Sequence, residues 1–358
     1  MHRVYNFGAG PAMLPLEVLE QAQREMLDWH NTGMSVMELG HRGELFKNLA
    51  QEIENDLREL LNVPKNFHIL FLSGGSRTQF AAVPMNLAKE FKTTAYALTG
   101  HWSKVAAEEG RLYNDVTVVC DSGAQNYSTI PEESSWKIPQ DAAYLHYVDN
   151  ETIHGIEFPF IPDSKGLPLI CDMSSNLLSR PIDFSKYALI YACAQKNFGP
   201  AGITVVILHD DLLKREALRQ TPSLMRYDLQ VKEKSMFNTP PTYDWYLSGL
   251  VFKWIKAQGG VIEMEKRAAK RAKTLYDFID QSNFYKNPVD PRYRSRMDVI
   301  FNLPDETRND EFLKQAKAAG LMNLKGHRVL GGMRAALYNA MPQAGVLALL
   351  EFMQKFAK

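Results

Sequence analysis

The sequence predicts an α/β fold, with a large domain on a mostly parallel seven-stranded sheet and a smaller α+β domain at the C-terminal end. Three observations carry this. Short β-rich runs alternate with helical stripes and polar turns between residues 67 and 208, and several of those runs are apolar throughout. A glycine pair at 259–260 then divides this region from one with a different pattern.

The first long element is a helix over 44–61, where Leu45, Leu49, Ile53, Leu57 and Leu60 recur at spacings of four and three and form one apolar stripe. Asn62 and Pro64 end it. Seven β-rich runs follow, at 67–72, 94–98, 116–120, 143–148, 168–171, 188–193 and 203–208. Strands buried on both faces have this composition, so the sheet is expected to be parallel and covered by helices. Only eight residues separate Ala194 from Ile203, whereas a parallel crossover needs about a dozen, so the last strand is expected to run antiparallel. Residues 246–258 read as a helix stopped by Gly259 and Gly260, and a longer helix starts at Val261. Beyond it come a strand at 297–303, a helix at 310–319 stopped by Gly320, a strand at 333–338 and a helix at 343–356. The expected domains are 16–259, and 260–358 together with residues 1–15.

Composition excludes several classes of function. The 358 residues carry 41 Lys plus Arg and 41 Asp plus Glu, so no uniform basic field marks a nucleic-acid partner. The longest apolar stretch, 187–194, is eight residues, far short of the ~20 that span a bilayer. The first residues lack the apolar core of a signal peptide. Cys120, Cys171 and Cys193 are too far apart for a Cys-x-x-Cys motif, and no metal site is expected. The expectation is a protein of the reducing cytoplasm.

Ligands of open α/β sheets bind beyond the carboxyl ends of the parallel strands, so the residues that follow each strand carry the chemistry. Gly74-Gly75-Ser76-Arg77 joins the first strand to a helix starting near Thr78, and such a turn offers backbone N–H groups and a helix N-terminus to a phosphate. An ordinary strand-to-helix turn would look the same. Neither Walker nor dinucleotide glycine patterns occur, which points to a phosphate on a smaller molecule. Lys196, in ACAQKNFGPAG after the most apolar strand, is placed to be desolvated and to form a Schiff base, or else to snorkel to water. Asp172 ends the neighbouring buried strand, where it could hold a pyridine nitrogen protonated, or simply cap a turn through Ser174 or Ser175. Trp102 follows another strand and offers a face for stacking. Pyridoxal 5′-phosphate accounts for all of these groups together. Two Gly-His-Arg triplets, at 40–42 and 326–328, and Arg334 supply separate anion clamps, unless they are solvated basic loops and a solvent-facing strand residue.

With these residues in place, the chain closely resembles the class V aminotransferases of the fold type I pyridoxal-phosphate family. The resemblance runs through NFGAGPAMLP, SVMELGHRG, GGSRTQFAAVP, Asn150–Thr152, AQKNFGPAG, SMFNTPPT, LKGHRV and GGMRAALYNAMP, and covers essentially the whole chain. It implies a homodimer with active sites at the subunit interface. It assigns Lys196 as the Schiff-base lysine and Asp172 as its catalytic companion, with Ser76, Arg77, Trp102, Thr152 and Gln195 as further cofactor contacts. Asn238 and Thr239 would reach the cofactor phosphate from the partner subunit. Arg334 would take the substrate α-carboxylate. His41, Arg42 and Arg77, helped across the interface by His327 and Arg328, would take a phosphate or a side-chain carboxylate. At Ala9 some relatives carry a hydroxyl, so only a backbone contact to substrate is implied there. The implied reaction transfers the amino group of L-glutamate to 3-phosphohydroxypyruvate, giving O-phospho-L-serine and 2-oxoglutarate in serine biosynthesis. Some bacterial relatives also act on 4-phosphohydroxy-L-threonine in pyridoxine biosynthesis. Rivals within the family are alanine–glyoxylate aminotransferases and cysteine desulfurases, against which the second Gly-His-Arg triplet argues. Outside it, the rivals are a kinase or ligase using SGGSR as a nucleotide loop and a non-catalytic binding module.

Overall fold

The computed structural model describes residues 3–358, beginning with a short strand β1 (Tyr5–Asn6) and a helix α1 (Leu16–Arg24). The first long helix is α2 (Glu44–Leu61), which buries Phe46, Leu49, Ile53, Leu57 and Leu60. The expected stripe holds except at its first residue. Leu45 is 43% exposed, and Phe46 takes the inward place with its ring 5.7 Å from that of Trp245. Asn62 ends the helix in the left-handed conformation that asparagine tolerates.

The sheet region follows as β2 (Phe67–Gly74), α3 (Ser76–Leu87), β3 (Thr93–Leu98), α4 (His101–Gly110), β4 (Asp115–Asp121) and β5 (Leu145–Val148). A small hairpin of β6 (Asn150–Glu151) and β7 (Ile156–Glu157) precedes β8 (Leu169–Asp172), β9 (Leu189–Cys193) and β10 (Gly202–His209). Seven strands form one sheet in the order β2-β10-β9-β8-β5-β3-β4. β10 alone runs antiparallel, as the short connection before it requires, and it pairs with β9 on one side and β2 on the other. The other neighbouring pairs are parallel. Alternate residues of β9 serve opposite faces: Ile190 and Ala192 pack with α2 and a later helix, while Leu189 and Tyr191 pack with Phe80 and Val83 of α3. That two-sided burial is why the strand sequences are apolar throughout.

The chain continues through α5 (Tyr227–Lys232), α6 (Thr242–Ala257), α7 (Gly260–Gln281), β11 (Asp298–Phe301), α8 (Asn309–Ala318), β12 (Leu321–Met322), β13 (Met333–Ala336) and α9 (Gln343–Phe356). β11 and β13 pair antiparallel, and both are shorter than their apolar patterns indicate. β1 pairs parallel with β12, so the N-terminal segment joins a second core with Leu275, Phe301, Phe312 and Leu349, through Phe7. α7 bridges the cores, with Met264 in the sheet core and Leu275 in the second. The three cysteines are buried and unpaired, and no described helix is long and apolar enough to cross a membrane.

Candidate active site

Lys196 sits in the turn between β9 and β10, beyond the sheet's carboxyl edge. Its Nζ donates to Thr152 Oγ1 at 2.6 Å and to Ser175 Oγ at 2.9 Å, and those hydroxyls lie 2.6 Å from each other. Thr152 comes from the β6–β7 hairpin and Ser175 from the turn after β8, so three connections fix one amine. Asn197 anchors the turn by donating to the Ser175 carbonyl at 2.7 Å. The N-terminal loop closes another side: Gly10, at φ +130°, lies so near that a Cβ would stand 3.6 Å from Lys196 Cγ.

Asp172 ends β8 and is 3% exposed. One carboxylate oxygen accepts from the Ser174 N–H at 2.8 Å, which is the turn-capping role the sequence also allows. Its other oxygen takes no hydrogen bond. Burial pushes the Asp172 carboxyl above its ordinary range, and Lys196 is the largest influence pulling it back. Ser174 also links to Ser76 Oγ at 2.6 Å, tying the end of β8 to the first turn of α3. Gly74, at φ +114°, makes the turn into α3, and a Cβ there would stand 2.6 Å from Thr78 Oγ1. No side chain caps α3, which leaves its first N–H groups open to an anion.

Trp102 opens α4 beneath a buried carboxylate: Glu151 accepts from Trp102 N at 2.9 Å and from Ser103 N and Oγ at 2.7 Å each. The Arg77 guanidinium lies 5.6 Å from the Trp102 ring centre. On the other side, Arg334 of β13 donates to the Thr152 carbonyl at 3.4 Å. Next to it Asp298, fully buried, accepts from Asn150 at 3.0 Å and Tyr338 at 3.2 Å, and Tyr338 also donates to the Ala9 carbonyl at 3.1 Å. Burial pushes the Asp298 carboxyl up to about 6, with Arg334 and then Lys196 pulling it down. The His327 ring lies 5.8 Å from that of His101, the first residue of α4. Burial and then Arg77 hold His101 below its ordinary value, and burial and then Arg334 do the same for His327.

The structure therefore brings together Lys196, Asp172, Thr152, Ser76, Arg77, Trp102, Gln195, Arg334, Ala9 and His327. Among the described residues no hydrogen bond, ion pair or ring contact joins His41, Arg42, Asn238 or Thr239 to them. Arg42 instead lines a cavity of about 680 Å³ with Lys232, Met236 and Trp245, and Asn238 and Thr239 are exposed just beyond Met236. This divides the two Gly-His-Arg triplets differently from the expectation, since His327 stands beside His101 of its own chain. Sequence reasoning gave no role to Glu151, His101, Asp298 or Tyr338. Glu151 and His101 had a local signal, since each follows a predicted strand; Asp298 and Tyr338 arrive from distant parts of the chain.

A family model for class-V aminotransferases matches residues 4–349. The chain belongs to the class-V aminotransferases. Among curated class-V relatives, a phosphoserine aminotransferase of Coxiella burnetii is 58% identical over 358 residues, covering 100% of this chain and 99% of its own. Among solved class-V structures, the phosphoserine aminotransferase of Bacillus circulans subsp. alkalophilus superposes with a TM-score of 0.97 at 46% identity, covering 99% of this chain and 98% of that one. The pyridoxal-phosphate-bound enzyme of Trichomonas vaginalis gives 0.95 at 44% identity, covering 98% and 100%.

The residues fit the cofactor of such an aminotransferase. Two buried polar atoms at the site, Trp102 Nε1 and Gln195 Oε1, have no hydrogen-bond partner among the described residues. The uncapped α3 N-terminus suits a phosphate, the spare oxygen of Asp172 suits a ring N–H, and Lys196 Nζ suits a carbonyl carbon.

Proposed function

We propose that this chain transfers the amino group of L-glutamate to 3-phosphohydroxypyruvate, forming O-phospho-L-serine and 2-oxoglutarate with pyridoxal 5′-phosphate as cofactor. The observation that carries this reading is the convergence of two cations on Thr152: Lys196 Nζ on its hydroxyl at 2.6 Å and Arg334 on its carbonyl at 3.4 Å. A group that handles an amine and a proton thus stands beside one that clamps a carboxylate, which is the arrangement an α-amino acid requires.

When bound, the cofactor supplies a carbonyl that takes up the amino group and a ring that accepts the electron pair left at the substrate Cα. Lys196 Nζ takes the Cα proton and moves it, a role worth typically about 10²–10⁴-fold in rate. Thr152 and Ser175 hold that nitrogen in place. Asp172 would keep a ring N–H charged, while Ser76, Arg77 and the α3 N-terminus would hold the phosphate. Arg334 orients the α-carboxylate, and Arg77 and His327 face the far end of the substrate, where a phosphate and a γ-carboxylate are both served by cationic donors. With the cofactor bound, the same residues would serve glutamate and then the phosphorylated oxo acid in turn, the first product leaving before the second substrate binds, so ping-pong kinetics are expected.

We also read the active enzyme as a cytoplasmic homodimer. His41, Arg42, Asn238 and Thr239, which the family resemblance sends to the site, make no hydrogen bond, ion pair or ring contact with it among the described residues, and Arg42 shares one cavity with the segment leading to Asn238. A second copy can present them to the first.

The test is a half-reaction followed by absorbance. The protein is expected to be yellow, to lose its visible band with glutamate and to regain it with 3-phosphohydroxypyruvate. Lys196→Ala should abolish this cycle and lower turnover at least about 10²-fold. A colourless protein that depends on ATP, or a band that survives in Lys196→Ala, would overturn the reading.

A further inference from the structure

A second cavity of about 680 Å³ lies between the N-terminal segment, α6, α7 and the turn before α9. None of the residues that touch Lys196 lines it. Its walls are apolar at Tyr5, Met13, Leu16, Trp254 and Met341. Its charge is one-sided, since Arg3, Lys266, Arg267, Lys270 and Arg271 face two carboxylates, Glu17 and Glu263. Glu263 is already engaged by Arg267 at 3.0 Å.

Arg271 is the unusual member. It is 3% exposed, and among the described residues its buried Nε and Nη2 have no hydrogen-bond partner and no carboxylate pairs with it. A buried guanidinium without a counter-ion is costly, and its fork of donors matches the oxygens of a carboxylate or phosphate. Trp254 Nε1, another buried donor on the same wall, also has no partner among the described residues. Burial, and then Arg267, push the Arg271 guanidinium down to about 10, which is the response of a cation lacking an anion beside it.

We propose that this cavity is an oxyanion site separate from the catalytic centre, binding a small ligand whose carboxylate or phosphomonoester sits on Arg271 and Trp254 Nε1 and whose apolar body lies against Tyr5, Met13 and Met341. The apolar walls exclude bare inorganic phosphate as the best occupant.

Isothermal titration of the holoenzyme with benzoate, phenyl phosphate and inorganic phosphate tests this. Saturable binding by benzoate or phenyl phosphate is expected, tighter than inorganic phosphate, and the tighter of the two identifies the head group. In Arg271→Met the affinity should fall at least about tenfold, while turnover at saturating substrate stays unchanged. Trp254→Phe, which keeps the ring and removes the donor, gives a second reading if Arg271→Met folds poorly, and should also weaken binding. Crystals soaked with 4-bromobenzoate should show bromine in this cavity. The proposal fails if no aryl probe saturates, if inorganic phosphate binds as tightly as phenyl phosphate, if both variants bind like the parent, or if bromine appears only beside Lys196.

Discussion

Lys196 illustrates how much one residue's neighbours decide. The amine is shared by two hydroxyls from separate loops, and among the described residues the buried carboxylate of Asp172 takes a hydrogen bond on one oxygen only. If the other oxygen holds a ring N–H, Asp172→Asn should slow the glutamate half-reaction about 10²-fold or more, measured in single turnovers. A second residue makes a prediction about stability. His146 is buried between Tyr96 and Tyr191, with Nε2 2.8 Å from the Tyr191 hydroxyl and Nδ1 unpartnered, and burial depresses it to about 3. Below its ordinary value the unfolded chain binds a proton that the folded chain refuses. The stability His146 allows is therefore complete above about pH 6.5 and is lost as the pH falls toward 3. Between about pH 7 and pH 4 the unfolding free energy from urea titrations should fall on the order of 3 kcal/mol further in the parent than in His146→Gln. Lys196 and Asp172 were legible in the sequence because a charged residue directly after an apolar strand has few structural excuses. Asp298 was not, because its role depends on Asn150, Tyr338 and Arg334, which no spacing connects.

Among the elements, α4 carries Trp102 and His101 at the candidate site and was little visible beforehand. Its sequence, His101 to Gly110, mixes small, charged and aromatic residues without a clear stripe. What positions it is Glu151, fully buried, whose carboxylate receives the N–H groups of Trp102 and Ser103 at the helix start. Burial raises the Glu151 carboxyl, and the Ser103 and Trp102 hydrogen bonds work against that rise. Glu151→Ala should cost about 1–2 kcal/mol of stability and loosen the Trp102 ring, read as a lower thermal midpoint and weaker cofactor retention on dialysis. By contrast, α2 was readable to within one residue. A stripe of five apolar positions survives the misplacement of Leu45, whereas a helix held by one buried acid from another element leaves no periodic trace.

For the molecule as a whole, the paired arrangement proposed for the active sites makes a quantitative claim. Lys196→Ala disables a protomer's own site, whereas Asn238→Ala with Thr239→Ala disables the partner's. Each variant alone should be nearly inactive. Unfolded together and refolded as a mixture, about half the pairs are hybrids with one intact site, so roughly a quarter of the parental activity should return. No recovery would mean that each chain completes its own site. The global topology was readable because connection length dictates strand direction: eight residues before β10 left the antiparallel return as the economical path. The N-terminal β1–β12 pair was not, since two-residue strands joined across more than 300 positions leave no sequence pattern.

That antiparallel return has a mechanical meaning. β2, at the sheet's margin, hydrogen-bonds to no other strand than β10, and its last residue, Gly74, stands opposite Gly202, where β10 emerges from the lysine turn. The turn into α3 and the turn that carries Lys196 are thus the two arms of one caliper, hinged through a single ladder. Lengthening either turn by one residue would misalign both jaws at once, so the spacing between them can drift only if both turns change together.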